Sequence, residues 1–433
     1  MIKLDLSSIS SYRKSAKELA NEKLSAYKDV LEVERECENI NIYPGLIELE
    51  RPKTIKKLEA VPHDLKSLGK EAVLNGEIYW EHTAAGEATR LMMGPKFFIS
   101  PDQLKKRYLS ICQESGERPE LFDLIPLELG RRHLLQLVYE IRNLALEAGI
   151  DPNLVLERQK MLIVAAEETM PALIAQILKD FSSLFPLTML RFMTQAAFPG
   201  LGKLNDVWDY VPGSPERLHN HGALVMQKAM ERQIFKLSES GEPIYLTREE
   251  NFTELEAYSD LVSYNIEDLD YLTRALDFES LGLATIMRKE GYSMMMEIVA
   301  NNPERPIKGG CCAYDPTLQR DVVVESFRLK GYRPEDIHFL NKNFNHFMFP
   351  SRTLKKLIDF GLFMPVAVKD SYVYFQPVQG DLNFLEDTLF FTRSVMAPLN
   401  SLKSKADIKY ALIAFDKQDR QAGFIKLAED LLS

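Results

Sequence analysis

The chain has 433 residues and a formal net charge of -10 at pH 7, with 45% hydrophobic and 27% charged residues. This balance is typical of a globular protein, and the negative charge argues against nucleic acid or an anionic membrane surface as its general partner. The sequence has no run of 18 apolar residues, so no transmembrane helix is expected, and Met1 to Ser7 lack the apolar core of a signal peptide. Four cysteines without metal-ligand spacing, including the adjacent Cys311 and Cys312, indicate reduced thiols in a cytoplasmic protein.

The first 70 residues are predicted to form a helical extension. Residues 12–36 are rich in Lys, Glu, Ala and Leu at helical spacing, and a second short helix is expected over residues 58–70. Pro44 and Gly45 separate the two, because proline and glycine disfavour a continuous helix. We expect this extension to pack on the main domain with one face in solvent.

Residues 71–400 are predicted to form an α/β core. Short apolar runs are typical of buried strands, and here they alternate with segments of helical spacing. The predicted strands are 78–83, 161–165, 189–195, 261–266 and 292–299, and the predicted helices are 101–108, 131–148, 168–179 and 222–237. This alternation favours a sheet with parallel strands, in which ligands bind beyond the carboxyl ends of the strands. The loops 84–96, 195–200 and 265–268 follow such ends.

The later part of the core is predicted to begin with a hairpin over residues 307–329, which turns at Tyr314–Asp315–Pro316. The elements predicted after it are a helix at 352–360, paired strands at 366–369 and 372–378, and a helix at 384–396. Residues 401–433 are expected to form a small C-terminal lobe that ends in an amphipathic helix at 422–432.

The loop after the first core strand has the composition of a weak anion site. Its small residues, Gly86 among them, would let backbone N–H groups approach an anion, and Arg90 and Lys96 could neutralise its charge. Ala85 and Ala88 stand where a phosphate loop would favour glycine. On composition alone, a simple strand-to-helix connection is therefore the commoner explanation.

The order of residues in this loop resembles a family signature. Ala84-Ala85-Gly86-Glu87-Ala88-Thr89-Arg90-Leu91, followed by Pro95-Lys96, resembles the Ala-Gly-Gly-x-Gly-Thr-Arg-Leu-Gly and Pro-Lys of the eukaryotic-type UDP-sugar pyrophosphorylases. Further segments resemble motifs of the same family in the same order: Phe192-Met-Thr-Gln195, Asn220-His-Gly222 and Asn265-Ile-Glu-Asp-Leu269. The resemblance covers roughly residues 70 to 410 and implies a Rossmann-like mixed-sheet nucleotidyltransferase core.

The resemblance also implies roles for individual residues, with Gln195 reading the edge of uracil through an amide that can both donate and accept. It implies catalytic contacts to phosphate from Arg90, Lys96 and Lys369, contacts to the nucleotide from Ala85, Gly86, Glu87, Gln195 and Gly222, contacts to the sugar from His221, Glu325 and Asn345, and a Mg²⁺ ion held by Glu267.

The identity of the sugar stays open, because the sequence resembles two branches of the family. Lys308-Gly-Gly310 and Val324-Glu325 are similar to the glucose-1-phosphate branch, whereas Asn345-His-Phe347 is similar to the N-acetylhexosamine branch.

The phosphate side departs from the family's pattern. Glu267 stands where the family has an aspartate, which carries its carboxylate one methylene closer to the backbone. Asn400 stands where the family has a phosphate-binding lysine, and Lys403 or Lys405 is an alternative source of that charge.

The implied protein is a UTP–sugar-1-phosphate uridylyltransferase, which forms a UDP-sugar and pyrophosphate from UTP and a sugar 1-phosphate. Two alternatives remain open. One is a descendant that binds a nucleotide or a partner protein without turnover, and the other is a nucleotidyltransferase with a different acceptor. The sequence leaves the oligomeric state open.

Overall fold

A computed structural model of the chain describes residues 7–46, 48–86, 91–180, 186–304, 306–394 and 400–432. The chain divides into two compact units. The first unit comprises Met1–Pro62, Thr194–Ala257 and Met287–Leu399, and the second comprises His63–Met193, Tyr258–Ile286 and Asn400–Ser433. A membrane-crossing helix would have to be longer and more apolar than any helix found in the described residues. The predicted division into residues 1–70, 71–400 and 401–433 stays a prediction.

The helices of the described residues, in chain order, are α1 Ser7–Leu24, α2 Val30–Asn41, α3 Leu65–Asn75, α4 Pro101–Ser115, α5 Leu129–Glu147, α6 Pro152–Arg158, α7 Met170–Asp180, α8 Gly222–Lys228, α9 Arg248–Glu256, α10 Phe278–Lys289, α11 Pro350–Phe360, α12 Ile408–Asp419 and α13 Ala422–Leu432.

The strands are β1 Lys56–Lys57, β2 Ile78–Thr83, β3 Lys160–Ala166, β4 Leu190–Gln195, β5 Ala197–Phe198, β6 Leu201–Leu204, β7 Val207–Tyr210, β8 Arg217–Leu218, β9 Ile234–Leu237, β10 Pro243–Tyr245, β11 Asp260–Asn265, β12 Met294–Ala300, β13 Gly310–Asp315, β14 Arg320–Glu325, β15 Phe339–Phe347, β16 Val366–Lys369, β17 Tyr372–Phe375 and β18 Thr388–Thr392.

The second unit is built on parallel strands. Strand β2 pairs in parallel with β11 on one side and with β3 on the other. Nearly every residue of these strands is buried, and in β3 this burial accounts for the apolar run at residues 161–166 without alternation. The long helix α5 packs against α3, α6 and α13. Because β2, β3 and β11 run parallel, their carboxyl ends meet at one edge of this sheet.

The first unit contains strands of both directions. Strand β12 pairs antiparallel with β15 and parallel with β18, and β13 and β14 form the predicted hairpin. Strands β16, β17, β6 and β7 form a smaller sheet, and the turn between β16 and β17 uses Asp370 and Ser371 at positive φ. Helix α1 packs into this unit, where the Trp208 indole donates to the Leu24 carbonyl oxygen over 2.8 Å.

The predicted α/β class with a mixed sheet is confirmed, and the strands predicted at 78–83, 161–165, 189–195, 261–266 and 292–299 are all present within one or two residues at most ends. Two helix predictions within residues 71–400 are wrong in part. The helix predicted over 222–237 ends at Lys228, and residues 234–237 form β9. The helix predicted over 384–396 is wrong at 388–392, where the chain forms the mostly buried strand β18. This strand pairs with β1 and with β12.

Candidate phosphate site and associated residues

The predicted phosphate loop and Glu267 follow neighbouring strands of the second unit. In the parallel pair β2–β11, Thr83 lies opposite Asn265, so the two chains leave the sheet side by side. The N–H of Ile266 donates to the Thr83 carbonyl oxygen over 3.1 Å. The N–H of Ala84 donates to the Val164 carbonyl oxygen over 2.7 Å. The start of the loop and the segment that carries Glu267 are thus held together by backbone hydrogen bonds.

Lys96 returns to the start of this loop. Its backbone N–H donates to the carbonyl oxygen of Gly86 over 2.9 Å, and its side chain forms an ion pair with Glu267. A Cβ added to Gly86 would lie 3.5 to 3.7 Å from the Lys96 side chain, an ordinary van der Waals distance. Among the predicted loop residues, Ala85 is buried and Gly86 is exposed. Glu87 and Arg90 lie outside the described residues.

Glu267 carries a lysine on each carboxylate oxygen. Lys96 contacts Oε2, and Lys403 Nζ lies 3.2 Å from Oε1. The Glu267 and Lys96 side chains are 14% and 11% exposed, so solvent screens their pair only weakly. Burial raises the pKa of the Glu267 carboxyl, but the charges and hydrogen bonds of Lys403 and Lys96 outweigh it and hold that pKa below its ordinary value. The site is therefore a carboxylate between two ammonium groups.

Backbone pairing brings Lys403 to this site. The N–H of Leu269 donates to the Asn400 carbonyl oxygen over 3.1 Å, and the N–H of Leu402 donates to that of Glu267 over 2.8 Å. Asp268 and Ser401 form an antiparallel bridge between these two bonds. The Asn400 side chain turns to the Asp270 carboxylate, 3.2 Å away. Of the two lysines that the sequence left open, Lys403 is the one that the structure brings to Glu267.

The donor set at Glu267 does not fit a magnesium ion well. Mg²⁺ prefers oxygen ligands and is usually held by one or two carboxylates together with phosphate oxygens. Both oxygens of Glu267 already contact ammonium groups, and no group of three His, Cys, Asp or Glu side chains within the described residues is arranged to hold a metal. The ion expected at Glu267 stays a prediction that these contacts do not favour.

The predicted uracil reader, Gln195, belongs to the first unit. It is the last residue of β4, is buried, and donates from Nε2 to the carbonyl oxygen of His219 over 2.8 Å. The His219 ring stacks on Phe198 with ring centroids 3.8 Å apart. Burial, with the charge of Lys369 second, lowers the pKa of His219 to about 3, so this imidazole is neutral at physiological pH. Gln195 is therefore held rigidly beside an aromatic stack.

His221 and Gly222, also in the first unit, are fixed by the segment 377–379. His221 Nδ1 accepts from the N–H of Gln379 over 3.0 Å, and the N–H of Gly222 donates to the Pro377 carbonyl oxygen over 3.0 Å. A Cβ on Gly222 would lie only 2.5 Å from Pro377 and Val378 backbone atoms. The start of α8 therefore requires glycine for close packing, whatever else Gly222 does.

The predicted sugar-side residues Glu325 and Asn345 lie in the first unit as well. Glu325 ends β14 opposite Gly310. Asn345 is buried on β15 and accepts from the Asn341 amide over 3.4 Å. Strand β15 is irregular here, because Met296 pairs with Asn345 whereas Ile298 pairs with Asn341. Such bulges re-aim side chains and are frequent beside active sites. Lys369, which ends β16, is exposed.

Sequence reasoning missed a buried polar cluster behind the candidate phosphate site. His82 precedes the loop by two residues, and its Nε2 lies 3.1 Å from His133 Nδ1. The His133 ring stacks on Tyr271, whose hydroxyl donates to the Tyr264 hydroxyl over 2.7 Å. A single histidine inside an apolar strand gives no signal of its partner in a distant helix, so the sequence could not have indicated this pair.

The sequence matches no family model and no curated protein. Solved structures do match. A UDP-N-acetylglucosamine pyrophosphorylase from Trypanosoma brucei aligns with a TM-score of 0.57 at 12% identity, covering 94% of this chain and 80% of that one. A UDP-glucose pyrophosphorylase from Leishmania major aligns with a TM-score of 0.56 at 13% identity, covering 94% and 79%. A putative UDP-N-acetylglucosamine pyrophosphorylase from Entamoeba histolytica gives 0.54 at 15%, covering 82% and 83%. The chain therefore has the fold that its motifs implied.

Proposed function

We propose that this protein is a nucleotidyltransferase that forms a UDP-sugar and pyrophosphate from UTP and a sugar 1-phosphate. The observation that carries the proposal is the meeting of Lys96 and Lys403 at Glu267, just beyond the carboxyl ends of parallel strands. Ligands of open α/β sheets bind at such edges. Two ammonium groups against one carboxylate leave a positive balance that favours a polyphosphate. The shared fold with UDP-sugar pyrophosphorylases supports the same reaction class.

The reaction needs no protein nucleophile. An oxygen of the sugar phosphate attacks the α-phosphorus of UTP in line, the bond from that phosphorus to the oxygen bridging the β-phosphorus breaks, and pyrophosphate leaves. Catalysis of such a transfer rests on positioning and on neutralising charge. In our proposal Lys96, with Arg90, opposes the charge that develops on the leaving pyrophosphate. Backbone N–H groups of the loop that contains Ala85, Gly86 and Glu87 cradle the phosphates.

Glu267 acts in this proposal as a positioning residue. Because its two oxygens hold separate lysines, it fixes both ammonium groups before the substrate arrives. Preorganised charge of this kind avoids reorganisation during the reaction, and one such contact is worth about a hundredfold to a thousandfold in rate.

The first unit supplies the residues that we propose for the base and the sugar. Gln195 and Gly222 are assigned to the nucleotide, and the fixed amide of Gln195 suits a single base edge. The other assignments are Lys369 for the sugar phosphate and His221, Glu325 and Asn345 for the sugar.

The test is pyrophosphate release from UTP with a panel of sugar 1-phosphates that includes glucose, galactose and N-acetylglucosamine 1-phosphates, run with and without MgCl₂. Formation of a UDP-sugar with at least one acceptor is the expected result. If UTP binds by calorimetry but no acceptor gives product, the uridylyltransferase proposal is wrong and a nucleotide-binding protein or another acceptor remains. Absence of UTP binding would leave only the partner-binding alternative.

A further inference from the structure

Lys403 reaches Glu267 through a well-defined backbone arrangement. The segment 400–402 pairs with 267–269 through two backbone hydrogen bonds, which make Asp268 and Ser401 an antiparallel bridge, and Leu402 is fully buried. The next residue, Lys403, is anchored in turn by its N–H, which donates to the Asp407 carboxylate over 3.1 Å. The fold therefore fixes the backbone from which the Lys403 ammonium group reaches Glu267. A lysine on a flexible surface loop would lack this support.

The acidic residues beside Glu267 are engaged elsewhere. The Asp268 carboxylate accepts from the backbone N–H of Asp270 over 3.0 Å, and the Asp270 carboxylate accepts from the Asn400 amide over 3.2 Å. Neither contact directs a second carboxylate to the Glu267 side chain. A divalent cation at Glu267 would lie close to the two ammonium groups that already contact both carboxylate oxygens. Like charges at such short range oppose binding of the cation.

An ammonium group on Glu267 can do the electrostatic work of a bound cation. It supplies positive charge and N–H donors to phosphate oxygens while it rests on a carboxylate oxygen of Glu267. We propose that Lys403 takes the place of a divalent cation at Glu267, so that this site binds the triphosphate of UTP without Mg²⁺. The inference rests on the proposed nucleotide site.

Isothermal titration calorimetry with UTP tests the inference, in matched buffers that contain either EDTA or MgCl₂ at equal ionic strength. For the unaltered protein, the Kd for UTP should differ between the two buffers by less than about threefold, since the charge is supplied by the protein. Lys403→Ala should weaken binding in EDTA by about tenfold or more, the usual effect of losing a hydrogen bond to a charged group. MgCl₂ should restore part of that loss, because the substitution frees Glu267 Oε1.

Two further variants make the comparison specific. Lys405→Ala removes an exposed lysine two residues away and should leave the Kd unchanged in both buffers. Lys403→Arg keeps the charge and should retain binding in EDTA better than Lys403→Ala. Thermal unfolding of each variant checks its fold, and none of the substitutions removes Lys96, the other partner of Glu267.

Three outcomes of the calorimetry would overturn the inference. Loss of UTP affinity in EDTA by more than about threefold in the unaltered protein would overturn the inference, because a metal would then contribute to binding. Equal affinity of Lys403→Ala and the unaltered protein in EDTA would also overturn it, since another group would supply the charge. If UTP binds in neither buffer, the proposed function fails, and this inference fails with it.

Discussion

The Nε2 atom of His82 lies 3.1 Å from Nδ1 of His133, and both rings are buried behind the candidate phosphate site. One nitrogen donates and the other accepts in this contact, so the two imidazoles cannot both be protonated. Burial lowers the pKa of His82 to about 3, and burial together with the neighbouring ring lowers the pKa of His133 well below its ordinary value. The pair is therefore a source of acid sensitivity.

We expect the free energy of unfolding to fall on acidification. Because the folded-state pKa of each histidine lies below the unfolded value, the unfolded chain takes up the extra protons as the pH falls. The stabilisation is fully present above about pH 6.5 and is lost at about 1.4 kcal/mol per pH unit for each histidine as the pH falls toward the folded value. Urea unfolding at pH 7.5, 6.5 and 5.5 measures this slope. His82→Gln should make it shallower, whereas the exposed His63→Gln should not; equal slopes for the two variants would contradict the assignment.

Gly222→Ala should destabilise the protein by about 1–3 kcal/mol, the usual effect of overpacking. The added methyl group would lie 2.5 Å from backbone atoms of Pro377 and Val378, and backbone cannot move aside as a side chain can. Chemical denaturation measures the change. Gly380→Ala is the matched control, because the nearest atom of the described residues to its Cβ would be Val323 Cγ1, at an ordinary contact distance of 3.5 Å. A stable Gly222→Ala variant would show that the start of α8 can shift.

The elements that sequence reasoning placed correctly are those whose local pattern agrees with their burial. Strand β2 and the hairpin β13–β14 follow this rule, because apolar runs and turn residues mark them clearly. Strand β18 does not, because Thr388–Thr392 stand in a longer stretch whose apolar residues have a spacing that can also match a helix. Burial by distant strands decided its structure, and one segment of sequence does not contain that information.

The candidate site also contains residues that the sequence indicated and a residue that it could not single out. The motif order indicated Lys96 and Glu267, and the structure brings these two side chains together. The choice between Lys403 and Lys405 could not be made from the sequence, because it depends on how residues 400–402 pair with 267–269. Registers of this kind follow from long-range contacts that local propensity does not encode.

Asp419→Ala should lower the free energy of unfolding by about 3–5 kcal/mol. Arg132 is fully buried and donates to both carboxylate oxygens of Asp419, over 2.6 and 3.0 Å, so the substitution would leave a buried guanidinium with its main charge partner removed. The denaturant midpoint measures the change. Asp416→Ala breaks the pair with the exposed Arg420 on the same helix and should cost less than about 1 kcal/mol. Equal losses for both variants would mean that the buried pair does not anchor α12.

Lys96→Met should lower kcat by about a hundredfold while it changes the fold little. Methionine keeps most of the length and the apolar character of the lysine stem but removes the positive charge that we propose opposes the leaving pyrophosphate. Glu267 remains paired with Lys403, so the substitution leaves no carboxylate without a compensating charge, and the loss of unfolding free energy should stay below the 3–5 kcal/mol expected for an isolated buried charge. Steady-state kinetics with the best acceptor and denaturant unfolding of the same preparation give both numbers.

Comparing the change in kcat with the change in unfolding free energy decides whether Lys96 acts in the reaction. Lys105→Met, in the second unit, is the matched control and should leave both kcat and stability unchanged, because Lys105 pairs with the exposed Asp102 on its own helix. A kcat for Lys96→Met equal to that of the control would remove Lys96 from the reaction. A fall in kcat that tracks an equal fall in the folded fraction would make Lys96 a structural residue, because a charge that acts on the transition state alters the rate without altering the amount of folded protein.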